Sequence, residues 1–192
     1  MARDFTSDWF SSAIPGIERT LGSHCRDPRN ILEIGSWEGR SACWFLDRYS
    51  DARITCIDTF AGAPGEYAGL DVDGTKARFL RNVAGFGDRV TLRQGASSRE
   101  LYGLKPESFD VVYVDGSHAE DDALLDLVLS YGLLQPGGVM LVDDYRGGHE
   151  GVRRAVDAFA AAFSGTMEPV LQGYQIHFVK KWTSLQGTCG VG

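Results

Sequence analysis

The chain has 192 residues, of which 43% are apolar and 23% are charged. These proportions are ordinary for a folded globular protein and argue against disordered or low-complexity classes. The length predicts one domain around one hydrophobic core. The 19 basic and 26 acidic residues give a formal net charge of −7, which disfavours nucleic acid as a partner because phosphate backbones bind cationic surfaces.

Neither a membrane span nor a secretory signal is expected from the sequence. A spanning helix needs about 20 consecutive apolar residues, and the apolar runs here are far shorter. Arg3, Asp4 and Asp8 lie where a signal peptide needs its apolar region. The four cysteines form no CxxC pair, so we expect reduced thiols, no structural zinc and a cytoplasmic protein: they are Cys25, Cys43, Cys56 and Cys189.

The predicted elements alternate between short apolar runs and stretches with helical spacing. Residues 1–28 are polar with an aromatic cluster and predict one or two short helices, a lead-in or lid. Strands are then predicted at 30–35, 53–58, 90–95, 109–116 and 137–144, and helices at 41–50, 77–84, 119–133 and 151–163. Two last strands, 167–173 and 174–181, leave no room for a crossover helix and predict an antiparallel hairpin.

Near-continuous apolar strands that alternate with helices predict a mostly parallel sheet with helices on both faces. We therefore expect an α/β fold with a seven-stranded sheet and a C-terminal antiparallel hairpin. The sequence shows no internal repeat and no linker, so one domain is predicted over residues 1–192. Its parts are the lead-in 1–28, the core 29–181 and a loose tail 182–192.

A glycine turn follows the first predicted strand in ILEIGSWEGRSA. Gly35 and Gly39 allow close approach of a ligand to the backbone, and the next helix offers free N–H groups to an anionic group. Asp58 ends the second strand, where a carboxylate can accept both hydroxyls of a ribose. GSWEGR lacks the third glycine of a dinucleotide fingerprint, and Glu33 suits a ligand with a cationic amine. The alternative is a tight turn that binds nothing.

Three acidic residues end the fourth and fifth strands: Asp115, Asp143 and Asp144. If these strands are neighbours, the carboxylates converge at the edge where such sheets bind ligands. Their mutual repulsion would be relieved by a divalent cation, and oxygen ligands favour magnesium, manganese or calcium. The alternative is solvated carboxylates at the starts of loops, with Asp144 capping a turn.

His118 lies three residues after Asp115 in a segment that fits a capping box, SHAE. Ser117 is predicted to cap the next helix, with Glu120, Asp121 and Asp122 in its first turn. His118 would then lie on that turn, facing the site, where a neutral imidazole can accept a proton from a substrate hydroxyl. The alternative is a histidine that only packs. His149 is a weaker candidate, and neither His24 nor His177 is in a position that suggests catalysis.

Together these motifs resemble class I S-adenosylmethionine-dependent methyltransferases over roughly residues 28–181. LEIGSWEGRSA is similar to the family's first motif, and the final hairpin is similar to its added seventh strand. VTLRQGAS, YVDGSH and VDDY resemble more narrowly the small-molecule O-methyltransferases that include the catechol and macrolide-sugar enzymes. The resemblance implies a Rossmann-like fold, the cofactor S-adenosylmethionine and methyl transfer to a hydroxyl of a small molecule.

The resemblance also implies site residues. Glu33, Gly35 and Gly39 would line the methionine end of the cofactor with Ser41 nearby, and Asp58 would hold the ribose. The remaining cofactor residues would be Ser36, Trp37, Thr59, Gly95, Ala96, Ser97, Ser98 and Asp115. Asp115, Asp143 and Asp144 match the metal positions. His118 stands where the catechol enzyme has its lysine base, and the sugar enzymes carry a histidine in a similar place. Ala96 departs from the acidic residue that many class I enzymes have there.

The mechanism so implied needs little chemistry from the protein, because the sulfonium of the cofactor is already reactive. A magnesium ion on the three carboxylates would bind the acceptor oxygen and lower its pKa. His118 would accept the proton, with Asp115 beside it as the second catalytic residue. The open alternatives are an NAD(P)-dependent oxidoreductase, a metal-dependent hydrolase and a non-catalytic S-adenosylmethionine-binding module.

The substrate is expected to be covered by the loop 61–74 and by the N-terminal aromatic residues Phe5, Trp9 and Phe10. Trp37 and Tyr145 either form walls of the pocket or pack in the core. The N-terminal aromatic cluster is either a lid or a contact in a homo-oligomer. A small acceptor is favoured because the chain has no further domain that could hold a polymer.

Overall fold

A computed structural model describes residues 3–62 and 72–182. Within these ranges one seven-stranded sheet contains β1 (Asn30–Ile34), β2 (Arg53–Asp58), β3 (Val90–Gln94), β4 (Phe109–Val114), β5 (Leu134–Val142), β6 (Met167–Gln172) and β7 (Ile176–Lys180). The spatial order is β3-β2-β1-β4-β5-β7-β6. The pairs among β1 to β5 are parallel, and β7 runs antiparallel to both β5 and β6. The predicted sheet and its C-terminal hairpin are confirmed.

Helices cover both faces of this sheet, as predicted. They are α1 (Ile14–His24), α2 (Arg40–Arg48), α3 (Thr75–Val83), α4 (Ser97–Glu100), α5 (Glu120–Leu133) and α6 (Glu150–Ala162), with short 3₁₀ segments at Ala84–Arg89 and Leu101–Gly103. One buried cluster joins the sheet to α1, α2 and α3, and a second joins the other face to α5 and α6.

The pleat of the strands explains why their sequences are apolar without interruption. Successive side chains of β1 point to opposite faces, so Ile31 enters the cluster under α1 and α2 while Leu32 enters the cluster under α5 and α6. Their partners on β4 in register are Val111 and Val112. Each fully buried side chain of this kind contributes about 1.5–3 kcal/mol, which makes the centre of the sheet a rigid support for the loops at its edge.

The start of α5 differs from the prediction. The helix begins at Glu120, and its N-cap residue Ala119 has no capping side chain. Ser117 instead accepts a hydrogen bond from the N–H of Ala119 at 3.3 Å, so the predicted capping by Ser117 is wrong. His118 accordingly lies in the loop before the helix and not on its first turn. The three acidic residues of the first turn, Glu120, Asp121 and Asp122, are confirmed.

Other boundaries lie close to the predicted ones. β5 begins at Leu134, three residues before the predicted start at 137, and α4 with the two 3₁₀ segments was not predicted. Cys25, Cys43 and Cys56 are free thiols; Cys189, the tail from 183 and the central part of the 61–74 loop lie outside the described residues. No helix within the described ranges combines the length and apolar character needed to span a membrane.

Candidate active site

A cavity of about 820 Å³ opens at the edge where the parallel strands end. Open α/β sheets bind ligands at this edge, and cofactor sites have volumes of about 300–1,000 Å³. The ends of β1 to β5 and the segments that follow them all contribute to its wall. In that order they supply Gly35 and Trp37, Asp58 and Thr59, Gly95 to Ser98, Asp115 to His118, and Asp143 and Asp144.

The glycine turn after β1 is required by the fold itself. Gly35 has a φ of +83°, and a Cβ there would lie 1.8 Å from the carbonyl oxygen of Asp115. Only glycine therefore lets β1 and β4 come this close at their ends. Gly39, with φ +78°, has a similar constraint, because a Cβ would lie 2.9 Å from the ring of Phe79. Both predicted glycines thus shape the turn, and Gly35 also lines the cavity.

Asp58 organises this turn from the end of β2. Its Oδ2 accepts hydrogen bonds from the backbone N–H groups of Ser36 and Trp37, each at 2.7 Å. Its Oδ1 accepts the N–H of Phe60 at 2.6 Å. A carboxylate offers about four lone-pair sites, so three are used by the protein. Asp58 still lines the cavity, and the ribose contact predicted for it stays a prediction.

The three acidic strand ends converge as the sequence predicted. β4 and β5 are parallel neighbours, and one carboxylate oxygen each of Asp115, Asp143 and Asp144 lies within 4.8 Å of the others. Burial raises the pKa of Asp115 well above its usual range, and the charges of Asp143 and Asp144 raise it further. Burial likewise raises the pKa of Asp143 to about 6. Such a set is electrostatically unfavourable until a cation or a proton joins it.

Asp144 connects this acidic cluster to His118. Its Oδ1 accepts the hydroxyl of Tyr174 at 2.6 Å, and its Oδ2 lies 3.1 Å from Nε2 of His118. Burial by itself would raise the pKa of Asp144, yet the hydrogen bonds from His118 and Tyr174 lower it overall. Its φ of +57° is a left-handed conformation that Asp tolerates better than most residues. His118 and His149 both line the cavity, with their rings tilted against each other.

A buried chain of hydrogen bonds holds Asp143 from behind. The side-chain amide of Gln175 donates from Nε2 to Oδ1 of Asp143, and its Oε1 lies 2.9 Å from Nε2 of His177. Nδ1 of His177 lies 2.7 Å from the hydroxyl of Thr20 on α1. Burial lowers the pKa of His177 to about 4, so the ring is neutral near pH 7. An ionised carboxylate only accepts hydrogen bonds. The direction of the whole series therefore runs from Thr20 to His177, from His177 to Gln175 and from Gln175 to Asp143.

A family model described as a methyltransferase domain matches residues 32–145, which is more than half of the chain. The chain belongs to this methyltransferase domain family. The family resemblance inferred from LEIGSWEGRSA and VDDY is thereby confirmed, and the matched region contains the glycine turn, Asp58 and all three acidic strand ends.

Individual relatives agree with this assignment. An O-methyltransferase of Aspergillus hancockii, hkm8, is 34% identical over 119 residues, which are 61% of this chain and 43% of the relative. The chain thus spans less than half of that relative's length. A Mycobacterium sp. (strain JLS) protein described as an O-methyltransferase is 29% identical over 167 residues, 84% of this chain and 70% of the relative. The fold is that of the Bacillus cereus O-methyltransferase solved in complex with SAH, with a TM-score of 0.65, 21% identity and coverage of 92% and 84% of the two chains.

Four predicted cofactor residues of this domain lie behind the cavity wall. Glu33 is fully buried on β1 and accepts a hydrogen bond from the hydroxyl of Ser41 at 2.5 Å. Burial raises the pKa of Glu33. Ser36 and Gly39 complete the turn, and none of the four is among the residues that line the cavity. Their cofactor contacts stay predictions, and the structure assigns them to the support of the turn.

The segment from Gly95 to Ser98 lines the cavity as predicted, and the structure adds a residue behind it. Asp126 is buried on α5, and burial raises its pKa to about 6, against a hydrogen bond from Ser97. A Cβ at Gly116 would lie 3.1 Å from its Oδ2. Asp126 was not predicted, because nothing in the sequence separates it from the other acidic residues of this helix.

The N-terminal segment contributes to the wall of the cavity. Trp9 lies on it, and the ring of Trp37 is 5.6 Å from that of Trp9 between centroids. Phe10, which was predicted to cover the substrate, is instead buried against Phe45 and Tyr113. Phe5 packs against the same core cluster. Trp37 and Tyr145 were each expected either to form a wall of the pocket or to pack in the core. Trp37 lines the cavity, whereas Tyr145 is buried in the core and its hydroxyl donates to Asp157.

Glu38 fixes this wall to the rest of the domain. It is 1% exposed and accepts hydrogen bonds from both the N–H and the hydroxyl of Thr6 at 2.6 Å. It also accepts Nε of Arg78 on α3 at 2.6 Å, an ion pair that is nearly excluded from solvent. This buried carboxylate therefore joins the N-terminal segment, the glycine turn and α3. Sequence reasoning missed it because its partners lie 32 and 40 residues away.

Proposed function

We propose that the protein transfers the methyl group of S-adenosylmethionine to a hydroxyl of a small molecule, with a divalent cation at the acidic strand ends. The proposal rests on the convergence of several predicted site residues at a single cavity. The glycine turn, Asp58, three carboxylates and His118 all face one cavity at the carboxyl edge of the sheet. Membership of the methyltransferase domain family supports S-adenosylmethionine as the cofactor. The acidic cluster together with His118 favours an acceptor whose reacting atom is oxygen.

The residues around the cavity fit the cofactor. The carboxylate of Asp58 on the cavity wall suits a ligand that carries a cationic sulfonium. Gly35 lines the cavity without a side chain, so a ligand can approach the backbone closely there, and Gly95 to Ser98 form another part of the wall. When bound, the cofactor supplies an activated methyl group. The protein then has to align the acceptor oxygen with that group and to exclude water.

The acidic cluster fits a divalent cation. Asp115, Asp143 and Asp144 each bring one oxygen within 4.8 Å of the others, and burial together with like charge raises the pKa of two of them. Oxygen ligands of this kind favour magnesium, manganese or calcium. When bound, the cation supplies a Lewis acid that lowers the pKa of an acceptor hydroxyl. Gln175 and Tyr174 keep the carboxylates in place by donating to Asp143 and Asp144.

His118 is the proposed general base. Its Nε2 faces Oδ2 of Asp144 at 3.1 Å and lies on the side of the acidic cluster. Nε2 donates to this carboxylate when the ring is neutral, so an acceptor hydroxyl would pass its proton to the ring nitrogen that does not face Asp144. The carboxylate of Asp144 then stabilises the imidazolium that results. His118 is partly buried on the cavity wall, so water competes less well for this proton.

The proposal is tested first by calorimetric titration with S-adenosylhomocysteine, in chelator and then in magnesium. A Kd for S-adenosylhomocysteine in the micromolar range supports the cofactor site. Binding of NADH without binding of S-adenosylhomocysteine would favour the oxidoreductase alternative. Methyl transfer to a panel of hydroxyl acceptors distinguishes an enzyme from a non-catalytic binding module. Product that forms equally well in chelator would refute the role of the cation.

The base is tested by His118→Ala, with His24→Ala as the matched control because His24 is exposed on α1, away from the cavity. We expect His118→Ala to lower turnover by about 10²–10⁴-fold while the affinity for S-adenosylhomocysteine is nearly kept. Loss of cofactor binding in the same variant would show that His118 holds the site together and is not the base.

A further inference from the structure

Two histidines and Asp144 form a second cluster of metal-competent side chains beside the three carboxylates. One ligand atom each of His118, Asp144 and His149 lies within 4.8 Å of the others. The two imidazole rings are in contact, with centroids 3.8 Å apart and planes inclined by 32°. Nε2 of His118 is 3.1 Å from Oδ2 of Asp144. All three residues line the cavity and are partly buried.

The fold brings these residues together from three separate segments. His118 precedes α5, Asp144 follows β5, and His149 directly precedes α6. Their approach depends on two glycines. A Cβ at Gly151, in the first turn of α6, would lie 2.3 Å from the carbonyl oxygen of His118. A Cβ at Gly147 would lie 2.5 Å from Oδ1 of Asp144. The cluster is therefore set by close backbone packing and not by flexible surface side chains.

The metal-ligating atoms of this cluster, two imidazole nitrogens and one carboxylate oxygen, differ from the three oxygens of the acidic cluster. Imidazole nitrogens suit zinc, cobalt, nickel, copper and iron(II), whereas magnesium and calcium prefer oxygen ligands. Two histidines and one carboxylate are a frequent set of three protein ligands in zinc and iron(II) sites that keep open positions. We propose that His118, Asp144 and His149 form a second cation position, selective for a transition metal, which shares Asp144 with the oxygen-lined position.

Occupation of this position has a consequence for the reaction, which rests on the proposed function. A transition metal bound to the ring of His118 takes up the lone pair that would accept the proton of the acceptor. The same cleft would therefore use a hard cation when active and be inhibited by a soft one. His149, which has no part in the proposed mechanism, is the residue that distinguishes the two positions.

The test measures metal binding alone, without cofactor or acceptor, so its outcome is independent of whether methyl transfer is observed. Metal-free protein is titrated with Zn²⁺ and with Mg²⁺ by calorimetry, and with Co²⁺ while the visible absorption is recorded. The variants are His149→Ala, Asp143→Asn and the control His24→Ala. His149 has no capping hydrogen bond from its side chain to α6, so we expect the variant to fold, and circular dichroism in chelator verifies this.

We expect His149→Ala to raise the Kd for Zn²⁺ by more than about tenfold and to weaken the Co²⁺ absorption, with little effect on Mg²⁺. Asp143→Asn should show the reverse pattern, and His24→Ala should change neither. The proposal is overturned if the Zn²⁺ affinity of His149→Ala equals that of the unmodified protein. In that case, the Zn²⁺ affinity of Asp143→Asn shows where the zinc binds. Loss of Zn²⁺ binding in Asp143→Asn but not in His149→Ala would place zinc on the three carboxylates. Absence of Mg²⁺ binding in the unmodified protein would count against the proposed function and not against the histidine position.

Discussion

Asp126 offers a test of how the cavity wall is held, because burial opposes the ionisation of its carboxyl group. It lies on α5 with 2% of its surface exposed. Burial raises its pKa from 3.8 to about 6, and the hydrogen bond from Ser97 recovers only part of that cost. The residue is thus a buried carboxylate near neutral pH, directly behind the segment that lines the cavity. We predict that Asp126→Asn stabilises the protein at alkaline pH.

The sign follows from proton binding. Since the pKa of Asp126 is higher in the folded protein than in the unfolded chain, the folded protein holds this proton more tightly. The resulting stabilisation is complete below about pH 4 and is lost as the pH rises through the folded pKa. A difference of about 2 pKa units corresponds to about 3 kcal/mol at 1.36 kcal/mol per unit. Asparagine cannot ionise and has nearly the same shape, so the variant escapes this loss.

The assay is urea denaturation followed by tryptophan fluorescence, in chelator, at about pH 5 and pH 8. We expect Asp126→Asn to raise the free energy of unfolding at pH 8 by about 2–3 kcal/mol, an advantage that is smaller by about 1 kcal/mol at pH 5. Asp121→Asn on the exposed side of the same helix is the control and should change little. A variant that is less stable than the unmodified protein at pH 8, or whose effect is the same at both pH values, would refute the reasoning.

The remaining predictions concern the supports of the cavity. Gly35→Ala should abolish binding of S-adenosylhomocysteine, since the new methyl group would lie 1.8 Å from a carbonyl oxygen; Gly85→Ala, where a Cβ meets nothing within 4 Å, is the control, and retained binding in calorimetry would contradict the close approach. Glu38→Gln removes the charge that Arg78 faces in this buried ion pair and should lower the free energy of unfolding by about 1.5–3 kcal/mol; a loss in urea denaturation comparable with that of a surface pair would show that the ion pair is dispensable. Gln175→Leu should weaken Mg²⁺ binding by about tenfold, because Asp143 loses the nearer of its two side-chain donors, Gln175 and Tyr174; unchanged Mg²⁺ affinity would mean that Gln175 does not orient the carboxylate.

Much of the fold was predictable because it is encoded in local periodicity. Continuous apolar runs such as FDVVYV predict a strand buried on both faces, and β4 has this burial. The short distance between the last two strands requires an antiparallel hairpin, which is present. Turn chemistry was less predictable: the SHAE pattern indicated a cap at Ser117, yet α5 begins at Glu120, since a capping box depends on backbone angles that the pattern alone does not determine.

The sequence by itself also determined which chemical groups would meet at the cavity, because parallel strands end at one edge and the residues that follow them must gather there. This applies to Gly35, Asp58, Asp115 and the two acids after β5. Only the tertiary structure decided how those groups are held. Asp143 is oriented by a chain that ends on α1, 157 residues from its histidine link, and His149 reaches His118 through the packing of two helix starts. Such contacts depend on direction and distance between elements remote in sequence, and no local pattern of residues specifies either.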